Sequence, residues 1–139
     1  MLTGEYYPTI DANGRLAFPS GLRKDLGERF YITWAKEPFL VVYPEAEFNR
    51  IAERINERPM SETMNTRRLL FTSAVFVEPD KQGRAIIPLS LRKLVNITDE
   101  VAVLGNMSRA EIWPKDKWLE VKEKQNAPSD DSTFEELGI

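Results

Sequence analysis

The sequence predicts a β-rich α+β chain in which one small unit occurs twice, and three observations lead to that prediction. The segment DANGRLAFPSGLRK at residues 11–24 returns as DKQGRAIIPLSLRK at residues 80–93. Apolar runs rich in β-branched and aromatic residues, which are typical of strands, follow each copy. Between the copies, apolar residues recur at helical spacing. Each unit is too small to bury its own apolar face, so we expect the two to share a core.

The strands and helices follow from local patterns. The first copy is predicted to contain strands at 5–10, 15–18, 29–34 and 39–43, a tight turn at Asn13-Gly14 and a short helix at 19–27. The second copy repeats this order, with strands at 74–79, 85–88, 100–105 and 110–113 and a short helix at 89–95. Between them, a helix over 44–59 has one apolar stripe, and a second begins at Ser61 as its N-cap. A further helix follows Trp113.

These elements divide the chain into four parts. Residues 1–58 are the first unit with its following helix, and residues 59–72 are a connecting helix. Residues 73–125 are the second unit with its C-terminal helix. Residues 126–139 are polar and acidic, and we interpret them as a flexible tail.

Composition limits the possible functions. The chain of 139 residues has no cysteine and no histidine, which excludes disulfides, thiolate metal sites and the commonest general base. Catalysis would require paired carboxylates, a lysine or a metal, and the sequence offers no ordered site for them, so we do not expect an enzyme or a cofactor. No signal peptide pattern and no apolar run of about 20 residues is present, so we expect a cytoplasmic protein without a membrane partner.

The charge is unevenly distributed. The net charge is −3, but it arises entirely from residue 115 onward, and residues 1–114 are neutral. Within that neutral body, residues 11–24 carry a charge of +2 and residues 80–93 carry +3. Because local charge decides where phosphate binds, the repeated segments are the candidate anion-binding surface.

The D-x-x-G-R motif within each copy has two interpretations. Asp11 with Arg15, and Asp80 with Arg84, could be surface ion pairs that only stabilise a turn, each worth about 0–1 kcal/mol. Alternatively, the duplicated arginines form one cationic surface, since the planar guanidinium suits phosphate oxygens and guanine edges. The duplication favours the second interpretation. The same choice applies to P-x-x-L-R-K, whose basic residues could stabilise a helix C-terminus or extend that surface. These residues are Arg23, Lys24, Arg92 and Lys93.

The doubled D-x-x-G-R with its flanks, together with the VYP and IWP strand endings, resembles the MraZ family of bacterial transcriptional regulators in the SpoVT-AbrB superfamily. The resemblance extends to about residue 124. It implies two tandem AbrB-like swapped-hairpin units that form a pseudo-dimeric double-split β-barrel with flanking helices. It also implies homo-oligomeric rings that bind short direct repeats of double-stranded DNA in the promoter of a division and cell-wall gene cluster, at the nucleoid.

The family motif transfers to particular positions of this chain. Arg15 and Arg84 become the expected DNA contacts, with Lys81 supporting the second. Asp11 and Asp80 would orient those arginines, and Gly14 and Gly83 would form the turns. The third motif position is often lysine in the family, whereas here it is Asn13 in the first copy and Gln82 in the second. The first copy therefore loses a charge, which predicts the weaker phosphate affinity of the two.

Two alternatives remain open. The first is an antitoxin-like protein that binds a partner through its C-terminal tail, where Phe134 and Leu137 could anchor it. The second treats the aromatic residues as stacking platforms for single strands, although strand and helix spacing favours core or subunit-interface positions. Of the adjacent Tyr6 and Tyr7, one must face away from the core.

Overall fold

The computed structural model describes residues 1–127 and 132–139. Within these ranges the chain is a mixed α+β fold with antiparallel strand pairing, which confirms the predicted class. The strands are β1 Glu5–Tyr6, β2 Arg15–Ala17, β3 Phe30–Thr33, β4 Leu40–Pro44, β5 Val75–Val77, β6 Arg84–Ile86, β7 Val101–Asn106 and β8 Arg109–Pro114. The helices are α1 Ser20–Leu26, α2 Glu45–Asn56, α3 Met60–Ser73, α4 Leu89–Leu94, α5 Lys115–Asn126 and α6 Thr133–Glu136.

Six strands form one sheet in the order β1-β7-β8-β4-β3-β5. Its centre is the pairing of β4 with β8, where Leu40 lies opposite Ile112. Each half of the chain also gives an edge strand to the other half, because β1 pairs with β7 and β5 pairs with β3. The two halves therefore share one sheet and one core.

The remaining strands, β2 and β6, form a separate two-stranded ribbon. Its register pairs Arg15 with Ile86, Leu16 with Ala85 and Ala17 with Arg84. Among the described residues the strands do not close into a barrel, since the large sheet ends at β1 and β5 and the ribbon is not part of it. For the expected double-split β-barrel, the structure thus shows the α+β class but no closed barrel in the described ranges. Both ribbon strands are only three residues long, and Pro19 and Pro88, which follow them closely, lack the N–H needed to extend the pairing.

The main core is built from corresponding positions of the two copies. Leu22 and Leu91, the leucines of the two P-x-x-L-R-K segments, are both buried, and Leu16 is fully buried on the inner face of the ribbon. Phe18 packs edge-to-face on Phe30, with ring centroids 4.9 Å apart. Corresponding residues of the two copies thus belong to one buried cluster.

A second apolar cluster lies under the helices and is rich in aromatic residues. Phe39 stacks on Trp113 with ring centroids 4.5 Å apart, and Tyr31 stacks on Phe48 at 4.3 Å. The preference for core positions over exposed stacking platforms is confirmed for Phe39, Phe48 and Trp113, which are buried. The expectation for the adjacent tyrosines is confirmed as well, because Tyr6 packs against the main core and Tyr7 is exposed.

The helices lie where the sequence predicts them, with one correction at the start of α3. The stripe on α2 faces the second cluster, with Phe48 buried and Ile51 and Ile55 partly buried against it. The N-cap of α3 is Pro59 and not Ser61, which lies inside the helix. Pro59 is extended with ψ near 139°, and the Thr63 hydroxyl donates a hydrogen bond to its carbonyl oxygen, so the helix begins before the serine.

The N-terminal strand is shorter than predicted. The strand predicted over residues 5–10 is paired as a strand only at Glu5–Tyr6 and continues as isolated bridges at Thr9 and Ile10, with Pro8 between them. In the predicted tail, residues 132–139 include the short helix α6, and residues 128–131 lie outside the described ranges. No helix in the described ranges has the length and apolar character needed to cross a membrane.

Candidate nucleic-acid interface

The first D-x-x-G-R segment is a tight turn organised by one carboxylate. Oδ1 of Asp11 accepts hydrogen bonds from the backbone N–H groups of Asn13 and Arg15, each at 2.9 Å. Its Oδ2 accepts one from Nε of Arg15 at 3.0 Å. The turn closes through the N–H of Gly14, which donates to the Asp11 carbonyl at 3.0 Å. Gly14 has a φ of +79°, a conformation that residues with a β-carbon rarely adopt.

The second D-x-x-G-R segment repeats these contacts. Asp80 accepts hydrogen bonds from the backbone N–H groups of Gln82 and Arg84 and from Nε of Arg84, all at 2.9 Å. Gly83 has a φ of +77° and closes the turn onto the Asp80 carbonyl at 2.9 Å. Two turns of the same geometry thus present two arginines.

Backbone hydrogen bonds join the two turns through the ribbon. The N–H of Phe18 donates to the Gly83 carbonyl at 2.9 Å, and the N–H of Ile87 donates to the Gly14 carbonyl at 2.8 Å. The turns therefore lie at opposite ends of the ribbon, whose three residues per strand span about 10 Å.

The outer face of the ribbon carries the two arginines. Because side chains alternate along a strand, Arg15, Ala17, Arg84 and Ile86 face away from the buried Leu16. The two arginine side chains are 37% and 38% exposed. Apart from Nε, their guanidinium N–H groups have no hydrogen-bond partner in the part of the chain that the structure describes. Both guanidinium groups can therefore bind phosphate or a guanine edge through their free N–H groups.

The pKa values of both carboxylates that hold the arginines are lowered, so Asp11 and Asp80 are ionised at neutral pH. The backbone N–H of Arg15 is the main cause of the lowered pKa of Asp11, and the N–H of Asn13 and the Arg15 side chain lower it further. The pKa of Asp80 is lowered in the same way, first by the backbone N–H of Arg84. Each aspartate therefore stays an acceptor that fixes its arginine.

The two turns differ in their surroundings. The first turn exposes Asn13, and the second exposes Lys81 and Gln82. Beside the second turn lies an open cleft, which four cationic side chains line together with three acidic ones. The cationic residues are Arg23, Lys24, Arg29 and Lys81, and the acidic residues are Glu28, Glu78 and Asp80.

The basic residues of P-x-x-L-R-K separate into two kinds. Lys24 and Lys93 are exposed, whereas Arg23 and Arg92 are partly buried. Nε of Arg92 donates to the Ile87 carbonyl at 2.9 Å. Both arginines also lie against a glycine turn, and each lies against the turn of the other half of the chain.

Sequence reasoning missed this crosswise contact and the position of Arg29. Arg23 lies eight residues after Arg15 along the chain, so proximity in sequence suggests the wrong turn for it. Only the register of the β2–β6 ribbon decides which turn meets which arginine. The exposed Ile86 could have been found, because it follows the alternation set by Arg84 and the inward-facing Ala85.

The chain matches a known protein family along its length. A family model described as "MraZ protein, putative antitoxin-like" matches the chain twice, over residues 1–69 and 70–137. The second match reaches residue 137, so the expectation that the family pattern ends near residue 124 is wrong.

Several curated relatives align over nearly their whole length, and each is named "Transcriptional regulator MraZ". The one from Finegoldia magna is 38% identical over 133 residues, which cover 94% of this chain and 93% of the relative. The one from Caldicellulosiruptor bescii is 38% identical over 143 residues, with both chains fully covered. The one from Heliobacterium modesticaldum is 37% identical and covers 99% of this chain and 96% of the relative. The chain therefore belongs to the MraZ family.

Proposed function

We propose that this protein is a transcriptional regulator that binds double-stranded DNA sequence-specifically, without catalytic activity or a cofactor. The observation that carries the proposal is the ribbon with its two matching turns, which directs the free guanidinium groups of Arg15 and Arg84 outward from one face. A two-stranded ribbon fits the major groove of B-DNA, where arginine reads guanine. The names of the relatives support the same class of function.

The remaining site residues have supporting roles in this proposal. Asp11 and Asp80 orient the arginines, while Lys81 binds phosphate beside the second turn. Gly14 and Gly83 allow the turns to close, and Asn13 and Gln82 lie at the turn surface. The exposed Lys24 and Lys93 are accessory phosphate contacts.

We propose further that the chain consists of two tandem AbrB-like swapped-hairpin units and acts as a homo-oligomeric ring. The tandem family matches and the exchange of edge strands between the halves support the first point. A single chain makes few phosphate contacts and would bind weakly. Several chains bound to successive direct repeats gain affinity through effective concentration. In this proposal the protein works at the nucleoid in the cytoplasm and represses its own promoter and a downstream division and cell-wall gene cluster.

The test removes both arginines together, by Arg15→Ala with Arg84→Ala. One bidentate base contact is worth about 1–3 kcal/mol, so loss of two should weaken binding of the double variant to its own upstream DNA by at least about thirtyfold. The matched control is Arg54→Ala with Arg58→Ala, which removes the same charge from exposed positions on and just after α2. Size-exclusion chromatography with light scattering should show an unchanged oligomer in both. Equal gel-shift retention of the two double variants would refute the assigned site.

A second candidate function is binding of a protein partner through the C-terminal segment, as in an antitoxin. It is favoured by the exposure of Phe134 and Leu137, at 62% and 68%. Under this alternative, a stoichiometric partner co-purifies with the full chain and is lost from Phe134→Ser with Leu137→Ser. Under the DNA-binding proposal, these substitutions leave the affinity for upstream DNA unchanged, and deletion of residues 127–139 leaves it equal or slightly higher because acidic residues that repel phosphate are removed.

A further inference from the structure

The most specific contact outside the Asp–Arg turns is made by two arginines that cross from one half of the chain to the other. A β-carbon added to Gly14 would lie 2.9 Å from Nη2 of Arg92. A β-carbon added to Gly83 would lie 2.6 Å from Cδ and 2.7 Å from Nη1 of Arg23. All three distances are too short for a real β-carbon, so each arginine side chain occupies the space beside a glycine that the missing side chain leaves open.

The contact continues into the backbone that joins the turns. Nε of Arg92 donates to the carbonyl of Ile87, and the N–H of Ile87 donates to the carbonyl of Gly14. Arg92 therefore contacts Gly14 of the first turn and also Ile87, the residue that is hydrogen-bonded to Gly14. The side chain of Arg23 covers Gly83 without a hydrogen bond to any described residue, so it supports the second turn by packing alone.

We propose that Arg92 is a positioning residue for Arg15, and that Arg23 is a positioning residue for Arg84. Each turn is then a composite of the two halves, with its aspartate and arginine from one half and its covering guanidinium from the other. The assignment of these roles to DNA recognition depends on the proposed function, whereas the crosswise support of the turns does not.

The first test measures support of the turns without DNA, by hydrogen–deuterium exchange of the full chain. Arg92→Ala should speed amide exchange in residues 11–15 about tenfold and leave residues 80–84 within about twofold. Arg23→Ala should speed amide exchange in residues 80–84 and not in residues 11–15, by a smaller factor than Arg92→Ala does for its own turn. The matched controls are Lys93→Ala and Lys24→Ala, which remove the neighbouring exposed charge and should change neither turn. Arg92→Lys keeps the positive charge but lacks Nη2, so amide exchange in residues 11–15 should be as fast as in Arg92→Ala.

Strand β7 serves as an internal reference in the same experiment. A general loss of stability would speed exchange in β7 and in both turns alike, and that outcome would overturn the proposal. Faster exchange in the turn of the same half, or equal effects in both turns, would overturn it too.

The second test asks whether Arg92 acts through Arg15 when DNA is bound. In a double-mutant cycle on upstream DNA, Arg92→Ala should weaken binding about tenfold in the wild type and in Arg84→Ala. In Arg15→Ala its effect should fall below about twofold. An equal loss of affinity in the wild type and in Arg15→Ala would show that Arg92 contacts DNA directly and would overturn the positioning role. If the wild type does not bind DNA at all, the proposed function fails, while the exchange experiment still decides the support of the turns.

Discussion

Arg15 and Arg84 are diagonal neighbours on one face of the β2–β6 ribbon, because Arg15 pairs with Ile86 and Ala17 pairs with Arg84. Diagonal neighbours on adjacent antiparallel strands lie about 7–8 Å apart. Two cations at this spacing would repel each other, and each has its own carboxylate at 3.0 Å or closer. The aspartates therefore reduce this repulsion and at the same time direct the free ends of the guanidinium groups outward.

The first prediction separates geometry from charge by Arg84→Lys. A lysine keeps the positive charge but cannot donate two parallel hydrogen bonds to a guanine, and it lacks the Nε that binds Asp80. Specific binding should fall about tenfold or more relative to binding of unrelated DNA, since a bidentate pair is worth about 1–3 kcal/mol. The salt dependence of binding should stay the same. Titrations of specific and unrelated duplexes at several salt concentrations check both. An equal loss on both duplexes would identify Arg84 as a phosphate contact.

Much of this arrangement could be predicted from the sequence, and the remainder depends on long-range register. The turn at Asn13-Gly14 and the inward-facing Leu22 follow from local rules, since a glycine and an apolar period carry the signal. The N-cap at Pro59 was missed because Ser61 satisfied the usual local pattern. The contact of Arg92 with Gly14 has no local signal at all, because it exists only once β2 and β6 have paired.

The second prediction concerns pH and the anchoring of the N-terminal strand. Glu5 accepts hydrogen bonds from Lys122, Trp118 and Tyr7, and these contacts, Lys122 foremost, lower its pKa to about 2. A carboxylate with a lowered pKa stabilises the fold above its unfolded pKa of about 4.5, and that contribution is lost as the pH falls towards 2. Glu5→Gln should therefore destabilise the protein at pH 7 and have progressively less effect at pH 4 and 3.

Urea unfolding at the three pH values measures this difference. The control is Glu62→Gln, which removes an exposed pair with Arg58 on the surface. Such a pair contributes little to stability, so the control should change it by less than about 1 kcal/mol at pH 7. A difference between wild type and Glu5→Gln that stays constant with pH would contradict the assigned role of the carboxylate.

The third prediction uses the exposed Ile86, which lies opposite Arg15 on the outer face. Because its side chain is 59% exposed, Ile86→Lys should leave the stability nearly unchanged. A lysine there adds a phosphate contact, so unrelated DNA should bind more tightly and the slope of log K against log salt should steepen by about 0.9. Leu119→Lys, on the exposed side of α5, is the control and should leave the slope unchanged. Equal slopes in the two variants would show that the ribbon does not face DNA.

The last prediction tests how tightly the N-terminal segment packs on the strand of the other half. A β-carbon on Gly105 would lie 2.3 Å from the backbone nitrogen of Thr3 and 2.6 Å from the carbonyl carbon of Leu2. Hydrogen bonds join the backbone of the N-terminal segment to the backbone of β7, including one of 2.8 Å from the N–H of Gly105 to the carbonyl oxygen of Gly4. The N-terminal segment therefore cannot shift without losing these hydrogen bonds. Gly105→Ala should cost about 1–3 kcal/mol in the free energy of unfolding, as overpacking does in a core. Urea unfolding measures the loss, and hydrogen exchange should place it in residues 1–6. A variant as stable as the wild type would show that the N-terminal segment does not pair with β7 in solution.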